Sequence, residues 1–133
     1  MSDPILRVTL AVLAVAGAAV SGYLVWHRYA GGELLCTTGG CETVQDSAYA
    51  QVAGIPVALL GLAAYTAIGA TVLVVAVEAR LAGAVLALSG VVFSAYLLVV
   101  QLAVIDAVCI WCVANDVIVS LVAAAALLRL RGA

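Results

Sequence analysis

Four runs of the sequence, roughly residues 5–29, 54–77, 81–105 and 108–128, are long and apolar enough to cross a lipid bilayer, which takes about 20 residues of helix. No other feature narrows the fold so far. In lipid every backbone N–H and C=O must be satisfied internally, so only helices and closed barrels can span. A barrel would show alternating segments of about ten residues, and the runs do not alternate. Composition agrees: 68% of the 133 residues are hydrophobic and 9% are charged, far from the balance of a soluble domain. The expectation is an all-α integral membrane protein, a four-transmembrane-helix bundle forming a single domain over residues 1–133. Its Ala- and Gly-rich helices suit close approach.

The first run has a second reading as a secretory signal, because Arg7 precedes an apolar core and "AVAGAA" at 14–19 resembles a cleavage site. The apolar stretch continues to Trp26, however, and Trp26 and Tyr29 suit an interfacial belt. An uncleaved span is therefore expected.

Charge sets the expected orientation. Four spans place the N-terminus, the turn at 78–80 and the C-terminus on one side, which holds Arg7, Arg80, Arg129 and Arg131. The positive-inside rule makes that side cytoplasmic. The extracytoplasmic side then holds the loop 30–53 and the junction near Asp106, and with them all four cysteines. A net charge of −2 and the lack of basic clusters argue against nucleic acid as a partner.

The loop, "AGGELLCTTGGCETVQDSAYAQVA", is the only extended polar segment. Gly31-Gly32 and Gly39-Gly40 mark tight turns. Asp46 or Ser47 is a candidate N-cap for a short surface helix reaching about Ala53. Gly54-Ile55-Pro56 ends it, and Pro56 suits the first turn of the second span. The loop is expected to lid the outer end of the bundle.

Cys36 and Cys41 lie in that loop, while "DAVCIWCVANDV" (106–117) places Cys109 and Cys112 at the start of the fourth span. Three chemistries compete. Structural disulfides persist outside the cytosol and would staple the loop. Four cysteines also suit zinc, but thiolates there compete with oxidation and one pair is embedded at a membrane helix. The third is a redox relay, in which a disulfide passes between pairs through mixed-disulfide intermediates. Position favours the relay: unpaired N–H groups and the dipole at a helix start stabilise a thiolate. The three-residue spacing also puts both sulfurs on one face.

Electrons from such a relay need an acceptor. His27 is the only histidine, so a bis-histidine haem is excluded, and no G-x-G-x-x-G dinucleotide fingerprint occurs. What remains is a carrier dissolved in the lipid, a quinone, which a pocket between helices near the outer face would admit.

The C-x4-C loop after the first span, Ser47 before "GIPVALLGLAAY", and "CIWC" opening the fourth span resemble the vitamin K epoxide reductase family over nearly the whole chain. The disulfide-bond formation protein B family also has four spans and two outer pairs, but its C-x-x-C comes first, the reverse of the order here. The resemblance implies a prokaryotic-type membrane thiol-disulfide oxidoreductase. It would pass electrons from a reduced thioredoxin-like, DsbA-type partner to a quinone (ubiquinone, menaquinone or a vitamin K type), supporting disulfide formation in secreted proteins. Cys109 and Cys112 would be the active-site pair, with Cys112 facing the quinone. Cys36 and Cys41 would be shuttle cysteines, with Cys41 exchanging with Cys109, and Ser47 matches a serine the family places near the active site. The chain ends at Ala133 without a fused thioredoxin domain, so the partner is expected to be separate. Animal members carry a tyrosine where this chain has Asp116, and space their loop cysteines more widely. A plain quinone is therefore the expected substrate.

Asn115 and Asp116 stand three and four residues past Cys112, on its face of the helix. An intramembrane carboxylate is expensive and commonly functional. The functional reading has Asn115 hydrogen-bonding a quinone carbonyl and Asp116 delivering protons. The structural one has them bonded to Ser94, Tyr96 or Gln101 to hold the bundle. Tyr49 and Tyr65 are candidate ring contacts, with packing as the alternative. Gln101 reads as an interhelical hydrogen bond, and His27 and Arg28 as interface anchors. The competing class is a membrane scaffold or transporter with structural disulfides; a transporter would show broken helices and midplane charges, and Asp116 is the one such charge here.

Overall fold

The computed structural model describes residues 2–31, 36 and 40–132. Helix α1 (Asp3–Ala30) leads to a short α2 (Cys41–Gln45), a single 3-10 turn (Ala48–Ala50) and a two-stranded hairpin, β1 (Gln51–Val52) with β2 (Ile55–Pro56). Helix α3 (Val57–Thr71), helix α4 (Val77–Val99) and helix α5 (Ile110–Arg131) follow, with a π-helical segment, Val100–Ile105, extending α4. Helices α1, α4 with its extension, and α5 are long and apolar enough to cross a membrane; α3 is apolar but shorter. The result is a membrane helical bundle with α1 against α3 and α5, and α4 against α3 and α5.

The core runs along the bundle axis through Leu6, Leu10, Tyr65, Ile68, Ala87 and Val122. Large apolar side chains also cover the outside: Val15, Leu73 and Val92 are each at least 70% exposed. A surface of that kind is stable only where lipid replaces water.

The second apolar run departs from expectation. It was expected to be helical over 54–77, but only 57–71 is, a rise of about 22 Å against a hydrocarbon core of about 30 Å. The chain turns at 72–76, and the carbonyls freed there are taken up by arginines. Arg129, 2% exposed, donates from Nη1 to the Thr71 carbonyl at 3.1 Å and from Nη2 to the Val74 carbonyl at 2.8 Å. Arg7 Nε donates to the Val72 carbonyl at 2.7 Å. Asp3, at the start of α1, pairs with Arg129 at 3.3 Å and Arg80 at 3.4 Å. These guanidiniums are cations at a helix C-terminus, where the dipole favours them and the last carbonyls lack helical partners. Charge bias alone gives these arginines a membrane side; the structure adds that they satisfy the carbonyls at the end of α3.

The loop also differs from expectation. The helix begins at Cys41 and ends at Gln45, before the expected Asp46 or Ser47 cap; Ser47 Oγ donates back to the Val44 carbonyl at 2.8 Å. From Ser47 onward only the 3-10 turn is helical. Gln51 and Val52 then pair with Pro56 and Ile55 across a two-residue turn in which Ala53 (φ 54°) and Gly54 (φ 84°) are both left-handed. This is the short-hairpin geometry that matches strand twist, and it makes the fold all-α apart from one small ribbon. Pro56 is the N-cap of α3. Gly32 and Gly39 of the two expected glycine turns lie outside the described residues.

Arg129→Leu should lower bundle stability in detergent by about 3 kcal/mol, since it strips a charged donor from two buried carbonyls. Thermal or denaturant unfolding checks this, and Arg129→Lys should retain part of the loss.

Candidate redox site

The site is built where α4 gives way to α5. Across Val100–Ile105 the helix widens to π geometry, a device frequent at functional positions, and Asp106 (φ 57°) turns the chain in left-handed conformation. Gln101, buried in this segment, bridges the break: its Oε1 accepts the Cys109 backbone N–H at 2.9 Å while its own backbone carbonyl accepts the Ala107 N–H at 3.1 Å. Cys109 is the N-cap of α5, with its sulfur accepting the Cys112 N–H at 3.4 Å. Serine or aspartate oxygen ordinarily performs this task; here a thiol does. The first turn of α5 is also held to α1, with Trp111 against Tyr23 at 4.9 Å between ring centroids.

The loop closes over this corner. Cys36 and Cys41 are joined by a disulfide, whereas Cys109 and Cys112 carry free thiols. Cys41 and Cys109 are both fully buried and belong to one apolar cluster with Leu24 and Val44, against which Cys36 and Cys112 pack. Gly40 permits this approach: a Cβ there would stand 2.5 Å from the Val108 carbonyl oxygen. Two residues near the end of α1 fasten α2 in place. His27 Nε2 faces Glu42 at 3.6 Å, and Arg28 Nη1 donates to the Gln45 carbonyl at 3.0 Å. His27 and Arg28 thus serve the loop beyond any role as interface anchors.

Gln45, which sequence reading passed over, reaches the thiols themselves. Its Nε2 lies 3.3 Å from Cys112 Sγ and 3.8 Å from Cys109 Sγ. The signal for it was present: Gln45 is four residues after Cys41 and shares its face once α2 is known to start at Cys41. Placing the helix start at Asp46 or Ser47 hid that register.

Beside the pair opens a cavity of about 360 Å³ between α1, α3, α4, α5 and the loop. Cys112, Asn115 and Asp116 form one wall, Tyr65 faces them, and Ser47 and Tyr49 stand at the loop end. Tyr65 is 3% exposed and donates to Asn115 Oδ1 at 2.7 Å. Its ring occupies the space a side chain at Gly17 would fill. Ser94 hydrogen-bonds the Asp116 carboxyl, while Asp116 Oδ2 is buried with no hydrogen-bond partner among the described residues. So Asn115 and Asp116 have partners in the bundle, Tyr65 and Ser94, and Asp116 keeps one oxygen over. Cys36, Cys41 and Cys109 stand behind this wall in the neighbouring cluster.

Cys109 stands outside the helix at its N-cap, and its surroundings favour the thiolate. A hydrogen bond from the Cys112 thiol holds it below the ordinary thiol range, at about 7. The Cys112 and Trp111 backbone amides and the Gln45 side chain act in the same direction, and burial opposes them. A sulfur so placed is thiolate above that pH and thiol below it, so thiol-disulfide exchange at Cys109 should quicken as pH rises through about 7. Ultraviolet thiolate absorbance should accordingly show the first ionisation of the dithiol near pH 7, below the ~8.5 of a free cysteine. Separately, Gly17→Val should displace the Tyr65 ring and destabilise the fold by about 1–3 kcal/mol, as overpacked cores do; denaturant titration reads it.

Compared with known proteins, residues 8–127 match the model of the vitamin K epoxide reductase family. No curated protein matches the chain.

Proposed function

The chain belongs to the vitamin K epoxide reductase family, and from that premise we propose that it is a quinone-coupled thiol oxidoreductase fed by a separate thioredoxin-like protein. One observation carries the reading. A disulfide, Cys36–Cys41, and a dithiol, Cys109 with Cys112, share a buried cluster, and Cys112 also forms part of the cavity wall.

In this reading the partner's dithiol reduces Cys36–Cys41, and the loop dithiol so formed attacks an oxidised Cys109–Cys112 pair through Cys41. The loop disulfide is restored and the active-site pair is left as two thiols. That end state is the arrangement of bonds present here. A quinone supplies the remaining chemistry, accepting two electrons and two protons as Cys109 and Cys112 close to a disulfide.

The cavity suits such a substrate. Its volume lies in the range of small-molecule sites, and its lining is mainly apolar with a few convergent polar groups. Asp116 Oδ2, buried without a partner among the described residues, is the group that a ligand oxygen would satisfy. Asp116 would hold and release the proton at that oxygen. The Tyr65–Asn115 bond fixes the amide beside it, leaving the Asn115 NH₂ to donate. Ser47 and Tyr49 line the mouth under the hairpin. With Asp116 where animal members carry tyrosine, a plain quinone is the proposed substrate. The arginine bias supports a reading in which the loop end faces the extracytoplasmic side and both termini the cytoplasm, so that the product serves disulfide formation in secreted proteins.

Purified protein given a ubiquinone or menaquinone analogue and a reduced thioredoxin-like protein should consume quinone. Cys109→Ala and Cys112→Ala should each abolish turnover, and unchanged turnover in either would contradict the reading. Asp116→Asn should leave unfolding unchanged and slow turnover by at least about 100-fold if it removes the proton donor.

A further inference from the structure

We infer that Gln45 is a positioning residue for thiol-disulfide exchange at the active-site pair, its side-chain amide holding the two sulfurs that leave as thiolates. The inference rests on the redox reading above and adds to it a residue outside the cysteines and the cavity wall.

Gln45 is the last residue of α2, and Cys41 is the first. One end of this five-residue helix therefore carries a shuttle sulfur, and the other carries a donor to both active-site sulfurs, at 3.3 and 3.8 Å. A primary amide has two N–H donors on one nitrogen, so a single group can serve both acceptors. Gln45 is itself fixed: its carbonyl accepts from Arg28, and it is half-buried under the loop.

The chemistry has a place for two such donations. When the Cys41 thiolate attacks Cys109 of the oxidised pair, the Cys41–Cys109 bond forms, the Cys109–Cys112 bond breaks, and Cys112 leaves as thiolate. When the Cys36 thiolate then attacks Cys41, the Cys36–Cys41 bond forms and Cys109 leaves as thiolate. Two electrons pass from the loop pair to the active-site pair, and no other reductant is needed. Each leaving sulfur gains negative charge, and a hydrogen bond to a charged acceptor is about twice as strong as one to a neutral group. Better-stabilised leaving groups depart faster.

The other titratable or charged groups near this corner are Tyr23, His27 and Arg28 on α1, Glu42 on α2 with Asp46 and Tyr49 after it, Tyr65 on α3, Asp106 in the connection and Asp116 on α5. His27 faces Glu42, Arg28 donates to the Gln45 backbone carbonyl, Tyr65 donates to Asn115, and a charge on Asp116 would repel one on Cys112. Gln45 is a side chain outside the pair that directs a donor to both sulfurs and so favours their charged forms.

The test compares wild type with Gln45→Leu, which keeps volume and removes the amide, and Gln45→Glu, which keeps shape and replaces donors with acceptors. The first ionisation of the dithiol, read by thiolate absorbance, should rise by about one pH unit in Gln45→Leu, roughly a fivefold loss of thiolate at pH 7. It should rise at least as far in Gln45→Glu. In a glutathione redox buffer the dithiol form should be disfavoured in both variants. Unfolding and formation of Cys36–Cys41 should match wild type, and a variant that loses either is replaced by Gln45→Asn at the same position, whose shorter amide should give an intermediate shift. An unchanged ionisation and an unchanged redox equilibrium in folded variants would overturn the inference. None of these readouts uses a quinone, so absence of quinone turnover in wild type would count against the proposed function alone.

Discussion

The 2.9 Å bond from the Cys109 amide to the Gln101 side chain sits where α4 has ended and α5 has not begun. In a soluble protein water would satisfy that N–H. Here the surroundings are apolar, and an unpaired buried donor costs a few kcal/mol. The chain resolves the problem by widening the end of α4 into a π-segment, so that Gln101 turns inward to the amide it must satisfy. Once the amide is held, the Cys109 sulfur is left to cap the helix and the Cys112 thiol lies within reach of it. The placement of both sulfurs goes with the closing of a buried helix end.

The same requirement shapes the opposite end of the bundle. Helix α3 stops early, and its carbonyls go to Arg7 and Arg129, with Asp3 balancing the buried guanidinium. Asn115 bonds Tyr65, Asp116 bonds Ser94, and one carboxyl oxygen remains unpaired beside the cavity. Natural interiors leave few such groups unpaired, and those they leave tend to have a use. The redox corner and the cavity are therefore neighbours along one polar track on α5, from Cys109 through Cys112 to Asn115 and Asp116.

The large elements were legible because the bilayer imposes long apolar runs; α1, α4 and α5 stand within a few residues of their expected spans. The family resemblance was legible because cysteine order and the "GIPVALLGLAAY" segment survive as strings. What could not be read was whatever depends on register in short elements. Helix α2 is five residues long with no side-chain cap, so Asp46 and Ser47 looked like a start when they lie beyond its end, and Gln45 was lost with it. The early stop of α3 was invisible because residues 72–77 are as apolar as the helix before them. The arginines that reveal it are remote in sequence.

In the proposed relay the loop pair and the Cys109–Cys112 pair exchange a disulfide directly, through Cys41 and Cys109, in the cluster they share. Removing the outer member of each pair leaves those two sulfurs without their own partners. In the Cys36→Ala, Cys112→Ala double variant, oxidation followed by peptide mass spectrometry should find Cys41 bonded to Cys109 in most molecules. Recovery of Cys41 and Cys109 as free thiols in a folded protein, or pairing of either with another molecule in preference to each other, would contradict the account.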